Sequence, residues 1–285
     1  MTNTMTERPT PFVKMHGAGN DFIMLDGRDL PSAALPDRQM IAALCHRQRG
    51  IGADGLIVIG TDAEVGDTGR TDFRMTYFNA DGGEAEMCGN GARCSVAFAH
   101  QLGLIEKACV FATQMGPITG LVHGPEDISV GLPGWRDLNL DLELSGSPWT
   151  RLSACHTGVP HLVVVLGETD NIDEIDLPHW GRIFRFHEQF GAAGTNVNWV
   201  SWDAARDEYR LRTYERGVEA ETLACGTGAS AAAVVLCHLG LAHDTVGIRT
   251  RGGDLLRVTV DTKAQAIQLR GPAVCSYSGT TLLRF

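Results

Sequence analysis

Two short segments hold residues whose types and spacing could do chemistry: "EAEMCGNGARC", from Glu84, and "ETLACGTGAS", from Glu221. Both read E-x-x-x-C-G-x-G-A and run into an Ala-rich stretch that reads as a helix. A sulfur at such a point lies at the positive end of the helix, which favours its thiolate form. The glycines that follow let the backbone turn and leave several N–H groups without an intrahelical partner. Each segment is therefore an anion site next to an activated thiol. Cys88 and Cys225 lie 137 positions apart. A matched pair of thiols suits a reaction that needs one equivalent group on each side of an atom, such as removing a proton from one face of a carbon and replacing it on the other. The N–H groups would hold the neighbouring carboxylate as negative charge develops, each preorganised donor contributing roughly 3 kcal/mol.

Other chemistries fit these residues less well. A dinucleotide or phosphate loop would need an apolar strand directly before the glycines and a third glycine or a G-K-S/T sequence, and neither segment has them. A Cys/His hydrolase, with His16 or His161 as base, would need only one nucleophile. Pyridoxal chemistry would need a Schiff-base lysine, but Lys14, Lys107 and Lys263 are the only lysines and none has a cofactor loop around it. No C-x-x-C pair suggests a zinc site. Cys45, Cys109 and Cys237 read as small buried apolar residues.

The elements that must position the two cysteines also repeat. "HGAGNDFIMLD", from His16, answers "HTGVPHLVVVL", from His156, each a Gly-containing turn followed by a strand, and 72 and 69 positions separate these histidines from the cysteines. We read a duplicated domain. "GLIVIG", "HLVVVL" and "NVNWVS" read as strands, and "FRMTYF" alternates Phe73, Met75 and Tyr77 on one face. "IRTRGGDLLRVTV" reads as a hairpin turning at Gly252-Gly253. Helices are expected at "PDRQMIAALCHRQRG" and after each C-G-x-G, capped by Gly50, Gly103 and Gly240, with a linker at Gly131–Trp135. The formal net charge of -10 argues against nucleic acid as a partner. The absence of a long apolar run and the polar start "MTNTMTERPT" argue against a membrane span or signal peptide, so the cytoplasm is the expected location, with thiols rather than disulfides.

"KMHGAGNDFIMLD", "NADGGEAEMCGNGARC" and "ERGVEAETLACGTGA" resemble, in order from about Val13 to Ala229, the signature segments of the diaminopimelate epimerase family. These enzymes need no cofactor and interconvert LL- and meso-diaminopimelate. The resemblance implies an α/β (α+β-like) fold of two pseudo-symmetric domains, each a curled, mostly antiparallel sheet around a central helix, with the active site in the cleft between them. The halves would be 1–132 and 133–271, with a tail, 272–285, returning to the first. It also implies a homodimer acting on a small amino acid. Carried onto this chain, the family pattern makes Cys88 and Cys225 the acid/base pair. Gly89, Asn90, Gly226 and Thr227 would be the helix-start donors. Asn20, Asn79, Asn196, Glu215 and Arg216 would hold the substrate, with His161 a polar neighbour of the thiols; no metal is implied.

Three departures touch the substrate contacts. Val159 stands where a common family pattern has Asn, Gly55 where some members have Gln, and the segment from Glu215 to Cys225 is one residue longer than the "ERGAGETLACG" form. Two other functions compete: a two-thiol racemase of another amino acid, of proline or histidine type, and a non-catalytic amino-acid-binding protein. Arg216 discriminates the first, since a second carboxylate needs a cation at the far end. Retention of both cysteines counts against the second.

Overall fold

The computed structural model describes residues 9–28, 35–61, 71–85 and 87–281; the first eight residues of the polar start and the last four residues lie outside them. The chain divides into two compact units, 1–128 with 273–285, and 129–272, against expected bounds of 1–132 with 272–285, and 133–271. The first unit runs β1 (Thr10–Gly17), β2 (Asn20–Asp26), α1 (Arg38–Cys45), β3 (Gly55–Gly60), β4 (Phe73–Asn79), α2 (Gly89–Gln101), β5 (Ala108–Thr113), β6 (Gly116–Gly124) and β7 (Asp127–Leu132), within which the division falls. The second runs β8 (Arg136–Leu142), β9 (Leu152–His156), β10 (Pro160–Val165), α3 (Leu177–Arg185), β11 (Asn196–Asp203), β12 (Glu208–Glu215), β13 (Ala220–Thr222), α4 (Gly226–His238), β14 (Thr245–Arg249), β15 (Leu255–Asp261) and β16 (Ala266–Pro272). The last strand, β17 (Val274–Thr281), pairs antiparallel with β1.

Strand pairing makes the duplication explicit. In the first unit the order is β17-β1-β2-β3-β4-β5-β6, parallel at β2/β3 and β4/β5 and antiparallel elsewhere. In the second it is β8-β9-β10-β11-β12-β14-β15-β16, parallel at the two corresponding places, β10/β11 and β12/β14. The fold is thus mixed α/β, mostly strands with few helices.

Each sheet is covered on two faces, and the strand sequences show why. "GLIVIG" of β3 is buried along nearly its whole length because Leu56 and Val58 pack with Ile41 and Leu44 of α1, whereas Ile57 points at α2. In β4, Phe73 and Met75 are buried on one face, but Phe78 on the other is buried as well, in the α1 cluster. Trp199 of β11 packs with Phe184 of α3 and with Trp149 in the second core. A strand covered on both faces reads as a continuous apolar run rather than an alternation.

The central helices α2 and α4, 13 residues each, are buried almost all round. A helix apolar on every side belongs in a core, and the Ala-rich α4 sequence makes it thin enough to enter. The second glycine of each C-G-x-G segment shows how tight the fit is. A Cβ on Gly91 would lie 2.9 Å from Ile57 Cδ1 and 3.3 Å from Met75 Cε. One on Gly228 would lie 2.3 Å from Asn198 Oδ1.

Gly103 and Gly240 follow the two central helices with φ of 70° each, as capping glycines do. Gly50 does not cap α1, which ends at Cys45. It is glycine because a Cβ there would meet the carbonyl oxygens of Ala43 and Leu44. The 131–135 segment is only partly a linker, since Gly131 and Leu132 finish β7. Gly252 and Gly253 do turn the β14/β15 hairpin, Gly253 with φ of 94°. Among the described residues no helix is long and apolar enough to cross a membrane.

The two glycine contacts differ in what must give way. Ile57 and Met75 meet Gly91 with flexible ends, whereas Asn198 is held by three hydrogen bonds. Gly228→Ala is therefore expected to cost about 1–3 kcal/mol of stability and more than Gly91→Ala, read as a lower urea midpoint at unchanged m. Equal losses would show that the approach to Asn198 is not the limiting contact.

Candidate active site at two helix starts

Cys88 and Cys225 are the N-cap residues of α2 and α4, both with extended backbone, φ −143° and −123°. All eight cysteines are thiols. Burial pushes Cys45, Cys94, Cys109 and Cys155 up to about 12 and Cys237 up to about 11, which keeps them protonated and inert near neutral pH. Cys45 and Cys109 are buried, in agreement with their reading as small buried apolar residues, whereas Cys237 is half-buried and its thiol donates to the His243 carbonyl at 3.1 Å, because it lies on the last turn of α4.

In the first unit, the Cys88 thiol donates to Asn20 Oδ1 at 3.4 Å. The same oxygen accepts from Asn90 Nδ2 at 3.2 Å, and Asn90 Oδ1 in turn accepts from Arg93 Nη2 at 2.9 Å. At the other end Asn20 Nδ2 donates to Asp54 Oδ2 at 2.8 Å. Behind Asn20, Arg47 bridges Asp54 and Asp21, and Lys14 donates to Asp21 and to the Gly52 carbonyl. Burial pushes the Asp21 carboxyl up, but hydrogen bonds from Arg47 and Lys14 and their charges outweigh it and hold it at about 2. Asn79, at the end of β4, accepts from Tyr77 Oη at 3.0 Å, while its backbone closes a turn with Gly82 and Gly83. Tyr77 also explains Gly55: a Cβ there would lie 2.7 Å from the Tyr77 ring and 2.5 Å from the Phe78 carbonyl oxygen, so no Gln fits.

In the second unit, Cys225 Sγ accepts from the Gly228 N–H at 3.4 Å and lies 3.5 Å from Thr227 Oγ1. The Thr227 carbonyl is held by Thr157 Oγ1 at 2.9 Å. Asn196 donates to the Pro160 carbonyl and accepts from the Arg216 N–H at 2.8 Å, while Glu215 accepts from Thr222 Oγ1 at 2.8 Å. Asn196 and Glu215 thus brace the strand end that carries Arg216. The Arg216 side chain is half-buried and, among the described residues, its guanidinium makes no ion pair or hydrogen bond. The longer Glu215–Cys225 segment is absorbed in the turn after β12, where Glu219 has φ of 57° and is held by Arg185 and by the Gly217 N–H. Val159 supplies only its carbonyl, which accepts from the Thr157 N–H.

His161 is buried at the start of β10. Asn198 donates to the Leu162 carbonyl and accepts from Thr213 Oγ1, so its amide nitrogen is the group facing His161 Nδ1 at 3.1 Å. The imidazole proton is therefore on Nε2, which has no hydrogen-bond partner among the described residues. Burial, with lesser contributions from the charges of His156 and Arg216, lowers its pKa to about 3. It is a neutral donor across the working pH range. A buried donor without a partner costs about 1–3 kcal/mol, which a ligand acceptor would offset.

The pattern gave no functional cue to Asp54, Tyr77, Thr157 or Asn198, which act through other residues. Asp54 sits one residue from the noted Gly55 and Asn198 within a quoted strand, but neither belongs to a spaced motif.

Fold and helix starts together define a class: a duplicated α/β protein with one N-cap cysteine per repeat. The chain belongs to the diaminopimelate epimerase family, whose profile, described as "Diaminopimelate epimerase", matches residues 12–131 and 153–275, one segment in each repeat. It is 37% identical over 274 residues to the diaminopimelate epimerase of Hydrogenobaculum sp., covering 93% of this chain and 96% of that one. It is 37% identical to that of Aquifex aeolicus, covering 94% and 96%. A solved phenazine biosynthesis protein of the PhzF family from Enterococcus faecalis shares the fold, with TM-score 0.72 at 15% identity over 97% of this chain and 100% of that one.

The folded pKa of His161 lies below the unfolded value near 6.5, so below that pH the unfolded chain binds the extra proton. Its contribution to stability is complete above about pH 6.5 and is lost as pH falls toward 3, with a slope approaching about 1.4 kcal/mol per pH unit. His156, lowered by burial and Arg136, contributes in the same direction. In urea titrations between pH 6.5 and 4, His161→Gln should make stability fall less steeply with pH, leaving the contribution of His156. A slope equal to wild type would contradict this assignment.

Proposed function

We propose that this chain interconverts LL- and meso-diaminopimelate by moving the α-proton between two thiols, without pyridoxal phosphate or metal. The observation that carries the reading is the repeated N-cap cysteine in a chain of this family. Cys88 and Cys225 serve as the acid/base pair, one thiol ionised while the other keeps its proton. First-turn N–H groups of Gly89, Asn90, Gly226 and Thr227 receive the reacting carboxylate, where the helix dipole favours negative charge. Asn20, Asn79, Asn196 and Glu215 order the amino and carboxylate groups, and His161 offers its Nε2–H to an acceptor near the reacting carbon. Arg216, a cation with no carboxylate partner among the described residues, takes the carboxylate at the far end of the substrate through its planar fork. On this reading the enzyme works as a cytoplasmic homodimer on a small amino acid and binds neither nucleic acid nor membrane.

Given LL-diaminopimelate in D2O, the purified protein is expected to form the meso isomer with deuterium at one α-carbon. Cys88→Ala and Cys225→Ala should each abolish epimerisation with the circular dichroism spectrum retained. Near-wild-type turnover by either single variant would rule out the two-thiol mechanism.

Arg216→Ala removes a charge-assisted contact of roughly 1.5–3 kcal/mol. It should lower kcat/KM for diaminopimelate by about one to two powers of ten and affect slow turnover of a monocarboxylate little. Steady-state kinetics on both substrates checks this, and equal losses would favour a racemase of another amino acid.

A further inference from the structure

Within its own unit each thiol has a neighbour of opposite sense: the Cys225 sulfur accepts from the Gly228 N–H, with Thr227 Oγ1 also 3.5 Å away, whereas the Cys88 thiol donates to the Asn20 side-chain carbonyl. A donor pointed at sulfur stabilises thiolate, and an acceptor at the same place stabilises the protonated thiol. What decides the second case is which end of the Asn20 amide faces Cys88. That end is fixed by charges at both ends of a chain of amides. The Asp54 carboxylate can only accept, so Asn20 must turn Nδ2 toward it and Oδ1 toward Cys88 and Asn90. The Arg93 guanidinium can only donate, so Asn90 must turn Oδ1 toward it and Nδ2 toward Asn20.

We propose that Asp54 is a positioning residue that, through the Asn20 amide, keeps Cys88 as the protonated member of the pair in the resting enzyme. This rests on the two-thiol reading for its catalytic meaning, but the coupling of Asp54 to Cys88 stands on geometry alone. Asp54 is itself held by Arg47 at 2.6 Å and by the Asp21 N–H at 3.3 Å, so its carboxylate does not swing away. Among the described residues, the charged and titratable groups on the elements of this network include Lys14 and His16 of β1, Asp21 of β2, Arg47 and Asp54 before β3, Tyr77 of β4, which packs on Phe22, and Arg93 and Cys94 of α2. Lys14, Asp21, Arg47 and Asp54 form one ion-pair cluster.

Asp54→Asn is isosteric and tests the idea. Arg47 claims the new amide's oxygen, so its NH2 meets the Asn20 NH2 donor to donor, and Asn20 relieves this by turning its oxygen outward and its NH2 toward Cys88, giving up the hydrogen bond from Asn90 Nδ2. The readout is the alkylation rate of Cys88 by iodoacetamide at pH 7, followed by mass spectrometry in a Cys225→Ala background. No turnover is involved, so loss of the two-thiol mechanism and loss of this coupling are separate results. Asp54→Asn should raise the Cys88 rate about tenfold, the equivalent of one pKa unit, while buried Cys94 stays unlabelled and exposed Cys275 keeps its rate. An Asn20→Ala background separates amide orientation from simple loss of a negative charge: there, Asp54→Asn should leave the rate unchanged. An unaltered rate in the Asp54→Asn protein, or an equal acceleration with Asn20 absent, would overturn the proposal. Labelling of Cys94 would report unfolding; Asp54→Glu, which retains the carboxylate, must then restore the slow Cys88 rate for the proposal to stand.

Discussion

Everything at the two helix starts depends on how closely each central helix approaches the sheet around it. Gly91 and Gly228 have no room for a Cβ, and the neighbouring Ala residues keep the helices narrow enough to be buried on nearly all sides. A helix held this way cannot tilt to relieve a poor contact at its first turn, because packed interiors transmit strain rather than absorb it. The thiols and the N–H groups beside them are therefore fixed in direction before any ligand arrives. Preorganisation of this kind is what lets backbone dipoles stabilise developing charge without reorganising at the moment of reaction.

The two repeats achieve the same placement with different chemistry. Around Cys88 the network is ionic at its ends, Asp54 on one side and Arg93 on the other, with two amides between. Around His161 it is neutral: Thr213, Asn198 and the imidazole make a chain in which the ring is kept uncharged by burial. The backbone repeat is the same in both units, whereas the side chains behind the two helix starts differ.

The duplication, the position of both cysteines at helix starts, the strands and the family were all legible in the sequence, because spacing and residue type alone carry them. A Gly-rich turn before an Ala-rich run has few other meanings, and two such runs at matched distances from two matched turns have fewer. The end of α1 was misplaced for an equally physical reason. Gly50 looks like a cap, but its lack of a side chain serves a close approach to the Ala43 and Leu44 carbonyls, and sequence cannot distinguish a glycine kept for its φ from one kept for its size. The alternation in β4 suggested a single buried face, because a covering helix on the other side leaves no local mark beyond Phe78.

By itself, then, the sequence determined the repeat, the thiol pair and the family, since these are properties of order and spacing along the chain. Tertiary structure decided which side chains stand behind the two helix starts. Asp54 reaches Asn20 across 34 positions, and Thr157 reaches Thr227 across 70. Their roles follow from hydrogen-bond direction. A carboxylate can only accept and a guanidinium can only donate, but which amide stands between them is known only once the sheet has curled and brought them within reach.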